Sequence, residues 1–459
     1  MEKDNGNTSK PPERSSTRLR TRSRGSARSI SAVCANPLYP CAMTGAASAL
    51  AGISDMGVII HGSSGCYYYA DMAVPDTLHS TFIVQDEVIF GSAERLTEIV
   101  ESVSKLYNKI AVINTCVPSV MGEDIKEILA DYDTICVDAP GFIGYFDEGW
   151  RLAVRELADS IPMSNSNTNS NKNTNTNTNT NAPVTDLSKD SKGNIRVNID
   201  GVCSMDPFHK GSLIEATRLL NLCGLKTAAV FCHDTYESIT HPSPYSVSVN
   251  PDYNCADVMN RRLNADARNS TGSLLGPDNV LKTFEELSDR LTGTADAGID
   301  IDISKIESEC EETDEILTKE GDRYLRRHDP PRVAVYSTYA YTEFACDMIA
   351  NYMDGEIVHA AARNNPPDSD LNGGENPYNI GGICSLHRIK EILSKRDFDL
   401  IIGSSFEHAA FPDSAFTGLT FPIRHRKMLY DRPVAGIQGA LYLMDEISET
   451  LENGAKKSN

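Results

Sequence analysis

The sequence lacks any long run of hydrophobic residues. None of its apolar stretches approaches the roughly 20 residues that a helix needs to cross a bilayer, so we expect no membrane-spanning helix. The N-terminus is polar and basic and has none of the apolar character of a signal peptide. We therefore predict a chain that stays in the cytoplasm and has no membrane partner.

Basic residues are also in deficit, with 43 Lys and Arg against 64 Asp and Glu in 459 residues and a formal net charge of −21. Proteins bind DNA and RNA largely through Lys and Arg contacts to phosphates, so this balance disfavours a nucleic-acid partner. The sequence also contains neither a G-x-x-x-x-G-K-[ST] loop nor a G-x-G-x-x-G fingerprint. We therefore expect no nucleotide on this chain.

Biased segments divide the chain. The first is rich in Ser, Arg and Thr and predicts a disordered basic tail, and the second, an Asn/Thr-rich run, predicts a flexible insertion. The third is acidic with little apolar patterning and predicts a surface helix or insertion. The predicted organisation is a tail at 1–33, α/β domains at 34–160, 196–285 and 329–459, a flexible insertion at 161–195 and an acidic insertion at 286–328.

Short apolar runs rich in β-branched residues alternate with helical patterns between these segments. This alternation favours α/β domains with Rossmann-like, doubly wound parallel sheets, in which ligands bind at the carboxyl ends of the strands. The predicted strands are Gly57–His61, Lys109–Asn114, Thr134–Asp138, Thr227–Phe231, Arg332–Ser337, Glu356–His359 and Asp399–Gly403. The main predicted helices are Ala93–Tyr107, Gly122–Asp131, Gly211–Cys223, Tyr341–Tyr352 and Ser385–Lys395.

Twelve cysteines are present, but none forms the tight C-x₂₋₄-C pair that is typical of a zinc site. Cys66 and Cys116 follow predicted strands, and Cys41 precedes a helical segment of small residues. Widely spaced cysteines that meet in space suit an iron–sulfur cluster, although a packing role for each is the alternative. Gly62 and Gly65 would let the backbone approach a bulky group closely.

The residues around these cysteines resemble the nitrogenase component 1 family, and most of all its β-subunit-like branch. The resemblance is clearest over residues 36–160 and looser over 195–250 and 330–450. It rests on Cys41, Gly45-Ala46, His61-Gly62-Ser63-x-Gly65-Cys66, Asp86-Glu87-Val88-Ile89-Phe90-Gly91, Thr115-Cys116-Val117-Pro118, Pro140-Gly141-Phe142-Ile143-Gly144 and Gly436-Ile437-Gln438-Gly439-Ala440.

The resemblance implies a redox subunit. Members of the family have Rossmann-like domains, assemble as dimers or heterotetramers, and receive electrons from a separate ATP-dependent iron protein. By position, Cys41, Cys66 and Cys116 match the family's cysteine ligands of the cluster at the subunit interface. We therefore expect either a homodimer or a heterodimer with an α-type homologue.

Two departures point away from nitrogenase itself. The β subunit of nitrogenase has a serine within the segment that corresponds to Gly141–Phe146, where this chain has Tyr145. Ligands for an iron–molybdenum cofactor have no clear counterpart, and Cys232 and His233 are expected to have packing or supporting roles. A single [4Fe-4S] cluster is therefore expected.

Among relatives without that cofactor, the chain most resembles the tetrapyrrole reductases, such as the Ni-sirohydrochlorin a,c-diamide reductive cyclases of methanogenesis coenzyme synthesis. The predicted function is thus ATP-dependent reductive cyclisation of a nickel tetrapyrrole. Two alternatives stay open: a subunit of another nitrogenase-like oxidoreductase with an α-type partner, and a non-catalytic scaffold on which a metallocluster is assembled.

Proton donors and ring contacts complete the predicted site. His61, Asp86 and Glu87 are the predicted catalytic groups, with Glu123 and Asp124 as further candidates. Gly62, Gly65 and Tyr67 are the predicted cofactor contacts. The basic run Arg424–Lys427 is a candidate partner for substrate carboxylates, with a solvated surface as the alternative.

Overall fold

The computed structural model describes residues 38–161, 189–190, 192–262, 270–292, 301–364, 377–383, 385–425 and 427–458. The predicted basic tail and most of the predicted Asn/Thr-rich insertion lie outside these residues. The strands form three sheets, and every pairing between them is parallel. The predicted α/β class is therefore confirmed. No helix in the described ranges is long and apolar enough to span a bilayer.

The first sheet carries the cysteines and has the strand order β2-β1-β3-β4. Its three predicted strands are confirmed, whereas β2 is only three residues long and has no apolar run to reveal it. The strands are β1 (Met56–His61), β2 (Leu78–Ser80), β3 (Lys109–Asn114) and β4 (Thr134–Asp138). The helices are α1 (Ala42–Leu50), α2 (Ser64–Ala73), α3 (Gln85–Phe90), α4 (Ala93–Val103), α5 (Cys116–Met121), α6 (Ile125–Ile128) and α7 (Phe146–Ser160).

The second sheet has the order β6-β5-β7-β8. Sequence patterns predicted only β6, because buried polar residues such as Asn198 and Asp200 interrupt the apolar signal of β5. The strands are β5 (Arg196–Asp200), β6 (Lys226–Val230), β7 (Ser246–Ser248) and β8 (Ser270–Ser273). The helices are α8 (His209–Leu222), α9 (Tyr236–Thr240), α10 (Ala256–Arg262) and α11 (Pro277–Thr292).

The third sheet has the order β11-β10-β9-β12-β13, and its three predicted strands are confirmed. The strands are β9 (Arg332–Ser337), β10 (Glu356–Ala362), β11 (Gly381–Gly382), β12 (Leu400–Gly403) and β13 (Ala415–Gly418). The helices are α12 (Ser304–Leu325), α13 (Tyr339–Met353), α14 (Leu386–Leu393), α15 (Ser405–Ala410) and α16 (Gly436–Ser458).

The acidic segment differs from the expectation of little apolar patterning. Helix α12 buries Ile306, Cys310, Leu317 and Tyr324 in the same hydrophobic core as the third sheet. These residues are spaced four or seven positions apart, which places them on one helix face. Thr313 and Gly321 are buried on the same face, and because neither is a large apolar residue they weaken the apolar pattern in the sequence. The segment is therefore a packed helix with an acidic outer face.

Helix α1 is the most closely packed helix of the first region, and all nine of its residues are buried. It crosses α7 with backbone against backbone. A β-carbon on Gly45 would overlap the Phe146 carbonyl oxygen, and one on Gly149 would overlap the Ala42 carbonyl oxygen. This crossing fixes the start of α1, where Cys41 is the N-terminal flanking residue.

Candidate functional site

The three predicted ligand cysteines lie at the carboxyl-end edge of the first sheet. Cys66 is in the first turn of α2, which follows β1, and Cys116 is the first residue of α5, which follows β3. Cys41 forms an isolated antiparallel bridge with Tyr145, in the loop after β4. Parallel strands end at a common edge, so the order of the sheet brings together residues that are 75 positions apart.

Cys41 and Cys116 meet over Gly141. The point that a β-carbon of Gly141 would occupy lies 3.4 Å from the Sγ atoms of both cysteines. The backbone N–H of Gly141 donates a hydrogen bond of 3.0 Å to the Cys116 sulfur. Amide hydrogen bonds to sulfur are one means by which proteins tune the potential of iron–sulfur clusters.

Cys66 lies at the same edge of the sheet, in the first turn of α2. Tyr69 is one helical turn after Cys66 on that helix. Burial and, after it, the nearby Cys41 raise the pKa of Tyr69. The Ser63 hydroxyl donates to the Cys66 sulfur over 3.9 Å.

The thiols of the site are less buried than most others. Cys41, Cys66 and Cys116 are each half-buried, and Cys223 is the other described cysteine of this kind. The remaining described cysteines are buried in the core: Cys136, Cys203, Cys232, Cys255, Cys310 and Cys346. Burial raises the pKa of Cys41, so its thiolate requires a compensating positive charge.

Three widely spaced thiols are a donor set of the kind that iron–sulfur clusters use. Within the described part of the chain, no three Cys, His, Asp or Glu side chains converge on a single point. Each thiolate of a cluster binds a different iron, so cluster ligands stand farther apart than the ligands of one zinc ion. Gly141, which lies against two of the sulfurs, offers no side-chain ligand of its own.

The two glycines near Cys66 differ in what they do. Gly62 is required by the fold, because a β-carbon there would overlap Oγ1 of Thr115. Gly65 is exposed, and a β-carbon there would meet only the Ser63 Oγ, at 3.9 Å. Nothing in the described chain therefore requires glycine at position 65, which leaves its open face for a ligand.

A Gly65→Ala substitution should distinguish a glycine that the fold requires from a glycine that leaves room for a cluster. We expect the stability of the iron-free protein to stay the same or rise by about 0.5–1 kcal/mol, because alanine favours a helix over glycine. The iron bound per chain should fall if a cluster approaches this backbone. Urea unfolding and iron analysis measure the two effects, and unchanged iron content would show that residue 65 does not face the cluster.

The predicted catalytic His61 is fully buried in a hydrogen-bond network. Its Nδ1 is 3.2 Å from Oγ1 of Thr81, and its Nε2 is 3.1 Å from the Ser92 hydroxyl and 3.3 Å from the Glu123 carboxylate. The Ser92 backbone N–H also donates to Glu123. The network ties the end of β1 to the loop after α5, so it supports the segments that carry Cys66 and Cys116. His61 is placed as a positioning residue.

Burial determines how this network responds to pH. It lowers the pKa of His61 despite the nearby Glu123 carboxylate. Burial raises the pKa of Glu123, but hydrogen bonds from Ser92 and His61 outweigh it and lower that pKa overall. The histidine is therefore neutral and the glutamate ionised near neutral pH.

Acidification should destabilise the protein through His61. The unfolded chain takes up a proton near the ordinary histidine pKa of 6.5, whereas the folded chain does so only at lower pH. The free energy of unfolding should therefore fall between about pH 7 and 5, by at most about 1.4 kcal/mol per pH unit for one proton. In urea titrations across this range, His61→Gln should flatten the slope, while the exposed His241→Gln should not. Equal slopes for both variants would contradict the pKa shift of His61.

The other predicted proton donors lie on the surface. Asp86 and Glu87 are in the first turn of α3, which packs beside α5, and Asp86 is exposed. The Glu87 carboxylate accepts the Val84 backbone N–H at 3.0 Å and so caps its own helix. Asp124 caps α6 in the same way through the N–H groups of Lys126 and Glu127.

Sequence reasoning missed a large exposed apolar surface around the cysteines. We define the apolar face as the exposed side chains of α2, α3 and the loops beside them. Phe90 is 84% exposed, Met72 67% and Ile89 62%, values that are unusual for large apolar residues in contiguous elements. The face consists of Tyr68, Tyr69, Met72, Val84, Val88, Ile89, Phe90, Phe142 and Ile143.

Tyr67 lies in an aromatic cluster beside Cys66. Its ring contacts those of Tyr68 and Phe82 edge-on, with centroids 5.3 and 5.0 Å away. Tyr67 and Phe82 also line an open groove of about 410 Å³ along β2. The predicted ring contact is therefore accompanied by an aromatic groove.

The basic run lies on a different part of the chain from the cysteines. Arg424, His425 and Lys427 are exposed in the loop that follows β13 of the third sheet, and Arg426 is outside the described residues. The His425 ring contacts Phe416 edge-on, with centroids 4.9 Å apart. Cys232 is buried, as expected of a packing residue, and His233 is only partly buried.

Comparison with known proteins gives one consistent result. The family described as nitrogenase component 1 type oxidoreductase matches residues 41–452. The chain is 23% identical over 466 residues to a nitrogenase molybdenum-iron protein beta chain of Sinorhizobium fredii, covering 92% of this chain and 84% of the relative. A beta chain of Methanococcus maripaludis is 22% identical, with 91% and 94% covered.

The chain is also similar to a solved structure and, over part of its length, to a cofactor biosynthesis protein. The solved structure "Nitrogenase Cp1 at pH 6.5" has the same fold, with a TM-score of 0.70 at 16% identity over 92% of this chain and 94% of that chain. The nitrogenase iron-molybdenum cofactor biosynthesis protein NifE of Rippkaea orientalis is 32% identical over 138 residues, which is 26% of this chain and 29% of the relative.

Proposed function

Because the chain belongs to the nitrogenase component 1 type oxidoreductase family, we propose that it is the cluster-binding catalytic component of an ATP-dependent reductase. Its electron donor is a separate iron protein, and its substrate is a nickel tetrapyrrole that undergoes reductive cyclisation. The observation that carries the redox role is the meeting of the Cys41 and Cys116 thiols over the Gly141 amide, at the sheet edge where α2 carries Cys66.

The residues of the site have different proposed roles. Cys41, Cys66 and Cys116 would hold a [4Fe-4S] cluster, which supplies one-electron transfer when bound. The Gly141 N–H stabilises negative charge on the Cys116 sulfur, and the buried His61 network keeps the segments that carry two of the cysteines in register. The half-buried position of the thiols keeps bulk water from most of the site.

The apolar face supports a partner at the cysteine edge. It surrounds the helices that carry the thiols, and exposed apolar patches of this kind mark protein interfaces. The beta-chain relatives favour an α-type homologue as this partner over a second copy of the chain. A partner would bury the open side of the site and supply further cluster ligands.

The groove along β2 supports a flat substrate. Tyr67, which follows Cys66 in α2, and Phe82 contribute two aromatic rings to its lining, and aromatic side chains stack well on planar rings. A tetrapyrrole presents such a ring together with carboxylates, for which the exposed Arg424 and Lys427 are candidate partners.

A reconstituted assay tests the proposal. The chain, purified without oxygen together with its α-type partner, is mixed with an iron protein, ATP, a reductant and Ni-sirohydrochlorin a,c-diamide, and the products are separated by chromatography. We expect a reduced, cyclised product that requires ATP and iron protein. A brown protein that binds iron but leaves the tetrapyrrole unchanged would overturn the substrate, and a colourless, iron-free protein would overturn the redox role itself.

A scaffold for metallocluster assembly is the second candidate, favoured by the 32% identity to part of a cofactor biosynthesis protein. A scaffold releases an intact cluster to an acceptor protein and needs no substrate turnover. Incubating the iron-loaded chain with an iron-free acceptor, and following iron by size exclusion, distinguishes the two functions. Transfer of the cluster without tetrapyrrole reduction would favour the scaffold.

A further inference from the structure

Two histidines form a pair away from the cysteine site. His209 begins α8, and His233 follows β6 in the second region. Their rings are edge-on at 71°, with centroids 5.7 Å apart. Neither residue contributes to the sulfur site, and their surroundings contain an unusual number of buried polar atoms without partners.

His209 has a free lone pair that points into the protein. The ring is 6% exposed, and its Nδ1 lies 2.6 Å from the Asp206 carbonyl oxygen. A carbonyl oxygen only accepts, so Nδ1 carries the proton and Nε2 of the neutral ring carries the lone pair. This Nε2 is buried and has no hydrogen-bond partner among the described residues. An imidazole whose other nitrogen donates to a backbone carbonyl is oriented as metal-binding histidines usually are.

His233 and its neighbours also have buried polar atoms without hydrogen-bond partners among the described residues. Its Nδ1 is buried without a partner in the described structure, as are Oγ of Ser204 and Oδ2 of Asp76. Ser204 Oγ and His233 Nδ1 lie 2.7 and 3.4 Å from the point that a β-carbon of Gly52 would occupy, so both face the end of α1. An unpaired buried polar group destabilises the folded protein, and such a concentration of them indicates a ligand that would satisfy them.

We propose that His209 and His233 bind a divalent transition metal ion, with zinc, cobalt or nickel as the class that suits two imidazoles. With metal–nitrogen bonds of about 2.1 Å, an ion lies roughly 3.2 Å from each ring centroid, and tetrahedral to trigonal angles place the centroids about 5.2–5.5 Å apart. The observed centroid separation of 5.7 Å is close to this range.

The local charges support a cation with open coordination positions. The charged groups near His233 are the carboxylates of Asp76 and Asp234 and the ammonium of Lys210. Two carboxylates thus outnumber the one permanent cation. Since no third Cys, His, Asp or Glu side chain converges on the pair within the described residues, water is left to complete the shell. An ion here would lie where His233 of the second region faces the end of α1.

Cobalt binding to the purified full-length chain tests the site. The chain is titrated with CoCl₂ under anaerobic conditions, and visible absorption separates nitrogen and oxygen ligation from the sulfur-to-cobalt bands that thiolates produce. We expect one cobalt per chain without a sulfur band, and an affinity weakened about 100-fold or more in both His209→Gln and His233→Ala. Asp76→Asn should weaken binding less.

The exposed His241→Ala serves as the matched control, because it removes a histidine of the same region. The thermal midpoint of unfolding without metal shows whether each variant folds, and added ZnCl₂ should raise it only where the pair is intact. Cobalt bound equally by wild type and both pair variants, or bound only through sulfur, would overturn the site. Failure of tetrapyrrole turnover would leave this result unaffected, since the measurement needs no substrate.

Discussion

Replacing Cys116 by alanine should leave the purified protein without its iron–sulfur cluster. Cys116 is the sulfur that receives the Gly141 N–H and lies opposite Cys41, so its loss removes one of the two thiols that the fold already brings together. Iron and acid-labile sulfide per chain should fall from near four to near zero on the proposed [4Fe-4S] assignment. Reductase activity should fall by at least about 1,000-fold, because electron transfer then has no carrier.

The control for this experiment is Cys223→Ala. Cys223 is also half-buried, but it lies at the end of α8 in the second region and away from the cysteine edge. This variant should keep its iron and activity, and circular dichroism should show both variants folded. Normal iron content in Cys116→Ala would refute its role as a ligand. Equal loss in both variants would mean that iron content reports folding and not ligation.

Gly149→Ala should be the most destabilising single-methyl change in the first region. The new β-carbon would overlap the Ala42 carbonyl oxygen, and Gly45 on the opposite helix already allows the same close contact. The two helices would have to separate, so we expect a loss of about 3 kcal/mol in the free energy of unfolding. Because Ala42 directly follows Cys41, iron binding should weaken as well.

A glycine in open space provides the comparison. A β-carbon on Gly381 in β11 would meet no atom within 4 Å, so Gly381→Ala should change stability by less than about 1 kcal/mol. Urea unfolding of the iron-free proteins measures both variants on the same scale. Similar stabilities for the two variants would show that α1 and α7 can separate without cost, and would remove the basis for placing Cys41 through this crossing.

Sequence patterns identified the central strands of the first and third sheets because those strands are buried on both faces. Runs such as Lys109–Asn114 and Arg332–Ser337 have apolar residues at all of their interior positions, and the structure begins and ends them at the same residues. The edge strand β2 and the polar β5 gave no comparable signal. Their residues are held in the sheet by pairing with a neighbour, which a single sequence does not contain.

Some features of the candidate site are visible in the local sequence, and others appear only in the folded structure. Local sequence indicated that Cys66 and Cys116 follow strands, since strand, turn and helix are adjacent in the chain. The His61–Ser92–Glu123 network joins residues 31 positions apart twice over and has no local pattern. The apolar face was missed for another reason: its side chains have the same composition as core residues, and only their exposure distinguishes them.

By itself, the sequence determined the α/β class, the central strands and the three cysteines to examine, because each is encoded by neighbouring residues. The tertiary structure decided what those cysteines face. It brought Gly141 between two sulfurs, buried His61 away from the surface and left the apolar face open. These outcomes depend on the order of the strands and on two helices crossing at glycines, contacts between residues that are distant in the chain and whose geometry only the folded backbone defines.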